Sequence, residues 1–213
     1  RRFLHGAAAA VVAGPAVLRA QAPGLRAAVI GHTGRGDYGH GLEKIFEGRP
    51  GGELVALADP DATGRDKTAA AIGAPRRYAD YREMLDQERP RLVSIALRHA
   101  DQHHEIGLAC LRAGAHCYFE KPFSRSCAEA DELLAEASRR RLKIAVAHTM
   151  RMMPLLVRFR QAVREGLLGD LKELRAYGKQ DSREGGEDMM VLGSHLFDLF
   201  RLFAGDPRWC SAR

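Results

Sequence analysis

Between residues 25 and 147, short apolar runs alternate with segments of helical periodicity, and turn residues separate the two. Few folds accommodate that alternation. Strands divided by helices must cross over and pair in parallel, with helices covering both faces of the sheet. Leu25–Ile30, 54–58, 92–97, His116–Phe119 and 142–147 are predicted as strands. Helices are predicted over 40–47, Ala62–Ile72, 81–87, 101–112 and 126–140, with Asp80 and Glu83 in capping-box spacing at the third of them.

Ligands in open sheets of this kind bind outside the carboxyl ends of the strands. The first strand runs into Gly31-His32-Thr33-Gly34-Arg35-Gly36, and a helix is predicted soon after. That is the setting a dinucleotide-binding turn requires, where backbone N–H groups approach a pyrophosphate. In G-x-G-x-x-G register Gly31 and Gly36 are the first and third glycines. Thr33 stands where the second would be, and Gly34 one place later can take over its work. Asp59 closes the second strand, where a carboxylate accepts hydrogen bonds from an adenosine ribose and repels a 2′-phosphate, so NAD is favoured over NADP. A turn residue before Pro60 is the plainer alternative.

The strand His116–Phe119 leads directly into Glu120-Lys121-Pro122. Proline restricts the lysine before it to extended or turn backbone, and the position places Lys121 at the ligand edge. The tripeptide alone would pass for a surface turn; the glycine turn upstream is what makes it a candidate site. His99, His103 and His104 follow the strand 92–97, but their spacing does not suit one metal-binding face. Contact of one of them, His103, with nucleotide or substrate is the expectation, and no metal is expected.

The 33 basic and 27 acidic residues leave a net charge of +6, without the basic blocks or aromatic-interleaved stripes of a nucleic-acid surface. Residues 1–22 carry Arg1-Arg2-Phe3-Leu4, an apolar stretch from Gly6 to Leu18 and an Ala20-Gln21-Ala22 cleavage pattern. The segment resembles a twin-arginine export signal, which implies a periplasmic address, and its apolar run is too short to span a membrane stably. Cys110, Cys117, Cys127 and Cys210 have neither zinc spacing nor the look of a disulfide framework.

Beyond residue 147 the pattern changes. A helix over 154–165, a strand over 171–177, a polar loop over 180–188 and a helix over 190–203 begin a second unit that cannot close on itself. The expected architecture is therefore a Rossmann-type doubly wound parallel sheet over 23–147, followed by the truncated start of a second α/β domain over 148–213.

Taken in order, the Gly31–Gly36 turn, Glu120-Lys121-Pro122 and Gly193-Ser194-His195-Leu196-Phe197-Asp198 resemble the Gfo/Idh/MocA oxidoreductase family. Arg151, Pro154 and Gly169-Asp170 resemble its crossover into a second domain, one often used for oligomer contacts. The resemblance implies NAD(P)-dependent hydride transfer on a sugar, cyclitol or related polyol. It implies Lys121 beside the nicotinamide, with Glu120 and Pro122 at the cofactor, and His195 as general acid/base. Substrate contacts are expected from Arg151, Asp188 and His195. Many members carry an aspartate four residues before the helix histidine, where this chain has Val191. Asp188 or Glu187 takes over that place, or His195 works without it, or ordinary dehydrogenase chemistry is lost. Two further readings stay open: a redox-neutral carbohydrate lyase or glycosidase that retains NAD, and a non-catalytic sugar- or nucleotide-binding protein.

Overall fold

The computed structural model describes residues 24–177 and 188–211. Six parallel strands form one sheet in the order β3-β2-β1-β4-β5-β6. They are β1 (Leu25–Ile30), β2 (Gly52–Ala58), β3 (Arg76–Tyr78), β4 (Leu92–Ile95), β5 (His116–Phe119) and β6 (Ile144–Val146). Strand order reverses between β1 and β4, which opens a crevice at their carboxyl ends. The expected doubly wound sheet is the fold of this chain.

Alternation along β1 sends Ala28 and Ile30 into one core layer and Val29 into the other, and all three are buried. The first layer packs beneath α2 (Tyr81–Glu88), α3 (His103–Arg112) and α4 (Cys127–Arg140), around Met84, Leu111, Phe119 and Leu133. The second holds Leu42, Leu57 and Ala69 beneath α1 (Ala62–Ile72). Side-chain caps start three of these helices: Asp61 accepts from Gly64 N, Asp80 from Arg82 N and Ser126 from Glu129 N. Glu88, at the end of α2, is buried but receives Arg26 at 2.7 Å, Arg76 at 2.6 Å and the Tyr78 hydroxyl at 2.5 Å. It ties α2 to β1 and β3.

Three predicted elements fold differently. The helix over 40–47 is a single 3-10 turn, Leu42–Lys44. Asp37, His40 and Gly41 all take positive φ, so the chain spends these residues on left-handed turns rather than on a helix. Gly39 N instead bonds to Ala96 O at 2.9 Å, and Tyr38 bridges to Leu97 beyond the end of β4. Residues 171–177 form no strand, because no ladder partner lies beside them among the described residues. The helix over 190–203 is two helices, α6 (Asp188–Val191) and α7 (Gly193–Ala204), broken at Leu192. β3 had no apolar signal, since two of its three residues are exposed arginines.

In the second unit α5 (Pro154–Arg164) packs on α7 through Phe159 and Phe203, whose rings are 5.4 Å apart. Leu155, Val157, Leu167, Leu168 and Phe197 nevertheless stay exposed. All four cysteines are free thiols, with Cys110 and Cys117 buried. No helix among the described residues is long and apolar enough to cross a membrane.

Close approach of α3 to β5 depends on Gly107. A Cβ there would lie 2.6 Å from Phe119 Cζ and 2.7 Å from Leu133 Cδ2. Gly107→Ala is expected to destabilise the protein by about 1–3 kcal/mol through overpacking. Urea unfolding measures the loss, and an unchanged midpoint would contradict this packing.

Candidate active site

The glycine turn leaves β1 at the sheet's carboxyl edge and is braced from below by Asp59. That carboxylate is fully buried. Its Oδ2 accepts from Thr33 N at 2.9 Å, Thr33 Oγ1 at 2.7 Å and the Tyr38 hydroxyl at 2.8 Å, while Oδ1 accepts from Asp61 N at 2.9 Å. Burial, together with the Asp59 carboxylate, holds the Tyr38 phenol far above its usual range. Here the structure departs from the expected ribose contact: Asp59 presents no surface and spends its acceptors on the turn. Thr33 departs too, since its N–H and hydroxyl are committed to Asp59 and its side chain packs on Gly64.

A cavity of about 350 Å³ opens at the ends of β1 and β2, lined by Gly31, His32, Pro60, Tyr81, Leu97 and Gln102 among others. His32 Nδ1 is buried there without a hydrogen-bond partner. A flat, polar-edged group such as an adenosine suits that lining. On the other side of the turn lies a second cavity of about 350 Å³, between Arg35, Arg98, His99 and Arg125 and reaching Pro122 and Val191. Three guanidinium groups make it a place for phosphate oxygens. Arg35 is also paired with Asp101 at 2.7 Å. Gly36, with φ 79°, sits so close to His99 that a Cβ would lie 2.5 Å from its Nε2. Gly34 lies over Asp61 at the start of α1.

The expected trio of histidines does not converge. His103 is completely buried, its Nδ1 2.8 Å from Pro122 O and its Nε2 2.9 Å from Leu97 O. It clamps the loops after β4 and β5 together and faces no ligand, which corrects its predicted cofactor contact. His104 turns outward to Glu132 at 2.8 Å.

Lys121 and His195 do meet. Lys121, 5% exposed, donates from Nζ to Val191 O at 2.9 Å, four residues before His195 on the same side of the crevice. His195 is buried with Nδ1 unpartnered. The rings of His40 and His148 both stand edge-on to it at 5.8 Å. Burial, with further pressure from Lys121, His148 and His40, drives the His195 pKa from 6.5 down to about 4, against a weaker pull from Asp198. Asp198 is itself held by Arg151 through two contacts of 2.9 Å. Burial lowers His148 as well. Beneath them Glu120 is buried, and its Oε1 lies 2.5 Å from His40 Nδ1. Burial raises the Glu120 pKa, opposed first by His40 and then by Lys121 and His103. Arg151 thus reaches the crevice through Asp198. Asp188 opens α6, and its side chain lies outside the described residues, as does all of 1–23.

A buried ammonium beside a neutral imidazole can donate to an alcohol oxygen and accept its proton. The family model for the Gfo/Idh/MocA proteins, described as an oxidoreductase family with an NAD-binding Rossmann fold, matches residues 25–148. The chain belongs to that family. Trans-1,2-dihydrobenzene-1,2-diol dehydrogenase from Homo sapiens is 32% identical over 165 residues, 73% of this chain and 49% of that protein. D-apiose dehydrogenase from Paraburkholderia graminis is 28% identical over 169 residues, 73% and 44% of the two chains. The solved scyllo-inositol dehydrogenase from Lactobacillus casei, with bound NAD(H) and scyllo-inositol, superposes with a TM-score of 0.74 at 18% identity. It covers 85% of this chain and 56% of that one. Myo-inositol 2-dehydrogenase from Lactobacillus plantarum gives 0.73 at 21%, over 85% and 57%. The chain spans about half the length of the curated relatives it matches.

The cofactor of this Gfo/Idh/MocA chain is NAD, and its two cavities and the unpartnered His32 nitrogen fit that molecule. Sequence reasoning missed Arg98, His99 and Arg125 as groove residues, and it missed His40 and His148 altogether. Only the glycines on both sides of His40 hinted that its backbone was unusual.

Two measurements follow from this geometry. Asp59→Ala leaves four donors without their acceptor and is expected to cost about 2–4 kcal/mol and to weaken NAD binding. Calorimetric titration and urea unfolding on one preparation check both. For His195, the unfolded chain takes up a proton near 6.5 and the folded ring only near 4. Stability attributable to it is therefore complete above that window and lost as pH falls through it. His195→Asn is expected to flatten the wild-type fall in unfolding free energy between about pH 6.5 and 4; parallel profiles would contradict the assignment.

Proposed function

We propose that the protein is an NAD-dependent oxidoreductase that removes hydride from a carbon bearing a hydroxyl group in a sugar, cyclitol or related polyol. The observation that carries this reading is the convergence of Lys121 and His195 in one buried crevice beside the glycine turn. Curated relatives that act on a dihydrodiol and on D-apiose support the substrate class.

NAD, when bound, supplies the hydride acceptor. The chain supplies the rest. His32 and the cavity around it would hold the adenosine half, and Arg35, Arg98 and Arg125 the phosphates. Lys121 Nζ then lies where it can donate to the substrate oxygen and stabilise the charge that develops as the O–H proton leaves. His195, neutral at working pH, accepts that proton. With Val191 at the place of the family's aspartate, the partner of Lys121 on this side is a backbone carbonyl.

The leader adds a place of work to the proposal. Arg1-Arg2-Phe3-Leu4 and the apolar stretch behind it support export of the folded, cofactor-loaded protein to the periplasm. Replacing both arginines by lysine in the full-length protein is expected to leave it in the cytoplasmic fraction; unaltered export would refute the route.

Lys121→Ala in the full-length protein is expected to lower turnover of the best polyol about 100-fold or more while NAD stays bound. Parallel nicotinamide-absorbance assays and cofactor titrations read the two effects. Full activity in the variant would remove Lys121 from the chemistry. A wild-type protein that holds NAD yet reduces it with no polyol, while cleaving a glycoside, would move the function to the redox-neutral reading.

A further inference from the structure

His195 has no escape route for its proton on its own side of the crevice. It is buried, Lys121 faces it from the end of β5, His148 faces it from beyond β6, and Asp198 on its own helix is occupied by Arg151. One neighbour differs from the rest. His40 reaches the same ring from the glycine-rich segment, and its side chain is 45% exposed. Its Nδ1 is fixed 2.5 Å from the buried Oε1 of Glu120, whose Oε2 has no partner at all. An imidazole oriented on one nitrogen by a buried carboxylate, with its other side open, is the arrangement that moves protons.

The backbone is built for this contact. His40 holds a positive φ of 48° although it is not glycine, a conformation that persists only where the surroundings enforce it. Gly39 lies directly against Glu120: a Cβ there would sit 2.5 Å from its Cδ. Any larger residue would push the carboxylate away from the ring. His148, at the same distance from His195, offers no such path, because its Nδ1 is buried and unpartnered.

We propose that His40, oriented by Glu120, is the relay that carries the proton from His195 to solvent. This rests on the oxidoreductase reading above. The alcohol O–H bond breaks and its proton joins the His195 ring as the hydride leaves carbon for NAD. The proton then passes to His40 and from His40 to bulk water or buffer, restoring neutral His195. Glu120 keeps the His40 ring in place throughout and is not consumed. His40 is thus a positioning and relay residue, one step removed from the substrate.

Two arms test the relay on full-length protein. In the first, without NAD, imidazole nitrogen resonances are followed through a pH titration. His40→Asn removes a positive neighbour and is expected to shift the His195 midpoint upward, with Lys121, His148 and Asp198 unchanged around it. In the second, with NAD and the best alcohol, His40→Asn is expected to lower kcat about ten-fold in dilute buffer, leave KM in place and recover in added imidazole. Glu120→Gln, nearly the same shape, is expected to give a partial loss with the same rescue. An unmoved His195 titration, or a kcat loss that imidazole does not restore, overturns the relay. Absence of wild-type turnover with every alcohol overturns the oxidoreductase reading instead, and the titration arm still decides whether the two rings are coupled.

Discussion

A carboxylate taken wholly out of water, with four donors gathered on it, holds the ligand edge of this protein together. Removing an ion from water costs several kcal/mol unless hydrogen bonds replace its hydration. Asp59 meets that requirement with two main-chain N–H groups, one from Thr33 and one from Asp61, and two hydroxyls, those of Thr33 and Tyr38. In doing so it draws the glycine turn, the start of α1 and the ring of Tyr38 to a single point. Tyr38 in turn fixes the residues after it, since Gly39 N bonds to the carbonyl beyond β4 and His40 lands on Glu120. The crevice is assembled from that anchor outward.

The second half of the crevice depends on links between loops rather than on any one element. His103 joins the loop after β4 to the carbonyl of Pro122, so the backbone around Lys121 is positioned by the neighbouring strand's exit. Lys121 reaches across to the Val191 carbonyl and thereby fixes where α7 begins relative to the sheet. Arg151 performs the matching task from the start of the second unit by holding Asp198. A residue in either unit therefore owes its place to a contact with the other. This is why the site is well formed although the apolar faces of α5 and α7 remain exposed.

Much of this was legible from residues alone where the signal is local. Buried strands such as β1 and β5 announce themselves as apolar runs, and Asp61 or Ser126 before a helix does its capping within four residues. The ordered motifs put Lys121 and His195 in one site because both lie on segments whose ends the topology fixes. What was not legible was competition for a side chain. Asp59 looks the same in sequence whether it faces a ribose or supports a turn, and only the placement of Tyr38 decides between them. His103 likewise gave no sign that two carbonyls would claim both its nitrogens. The 40–47 segment failed as a helix because glycines and positive φ outweigh the helix-forming Leu42, Glu43 and Lys44. His40 and Glu120 are 80 residues apart, and no periodicity connects them.

Replacing the family's aspartate with Val191 has an electrostatic consequence that unifies these observations. A carbonyl satisfies the hydrogen bond of Lys121 but leaves its positive charge uncompensated, whereas a carboxylate would have cancelled much of it. That surviving charge acts twice. It favours an oxygen becoming negative in the crevice, which is the charge an alcohol develops as it is oxidised. It also disfavours a proton resting on His195, together with burial and the two flanking histidines. A site arranged to welcome the alkoxide is for the same reason one that must expel the proton. The buried carboxylate of Glu120 is not in contact with His195 but sits under His40, the flanking ring most open to water. The negative charge that could hold a departing proton has thus been placed one residue further out, along the way to solvent.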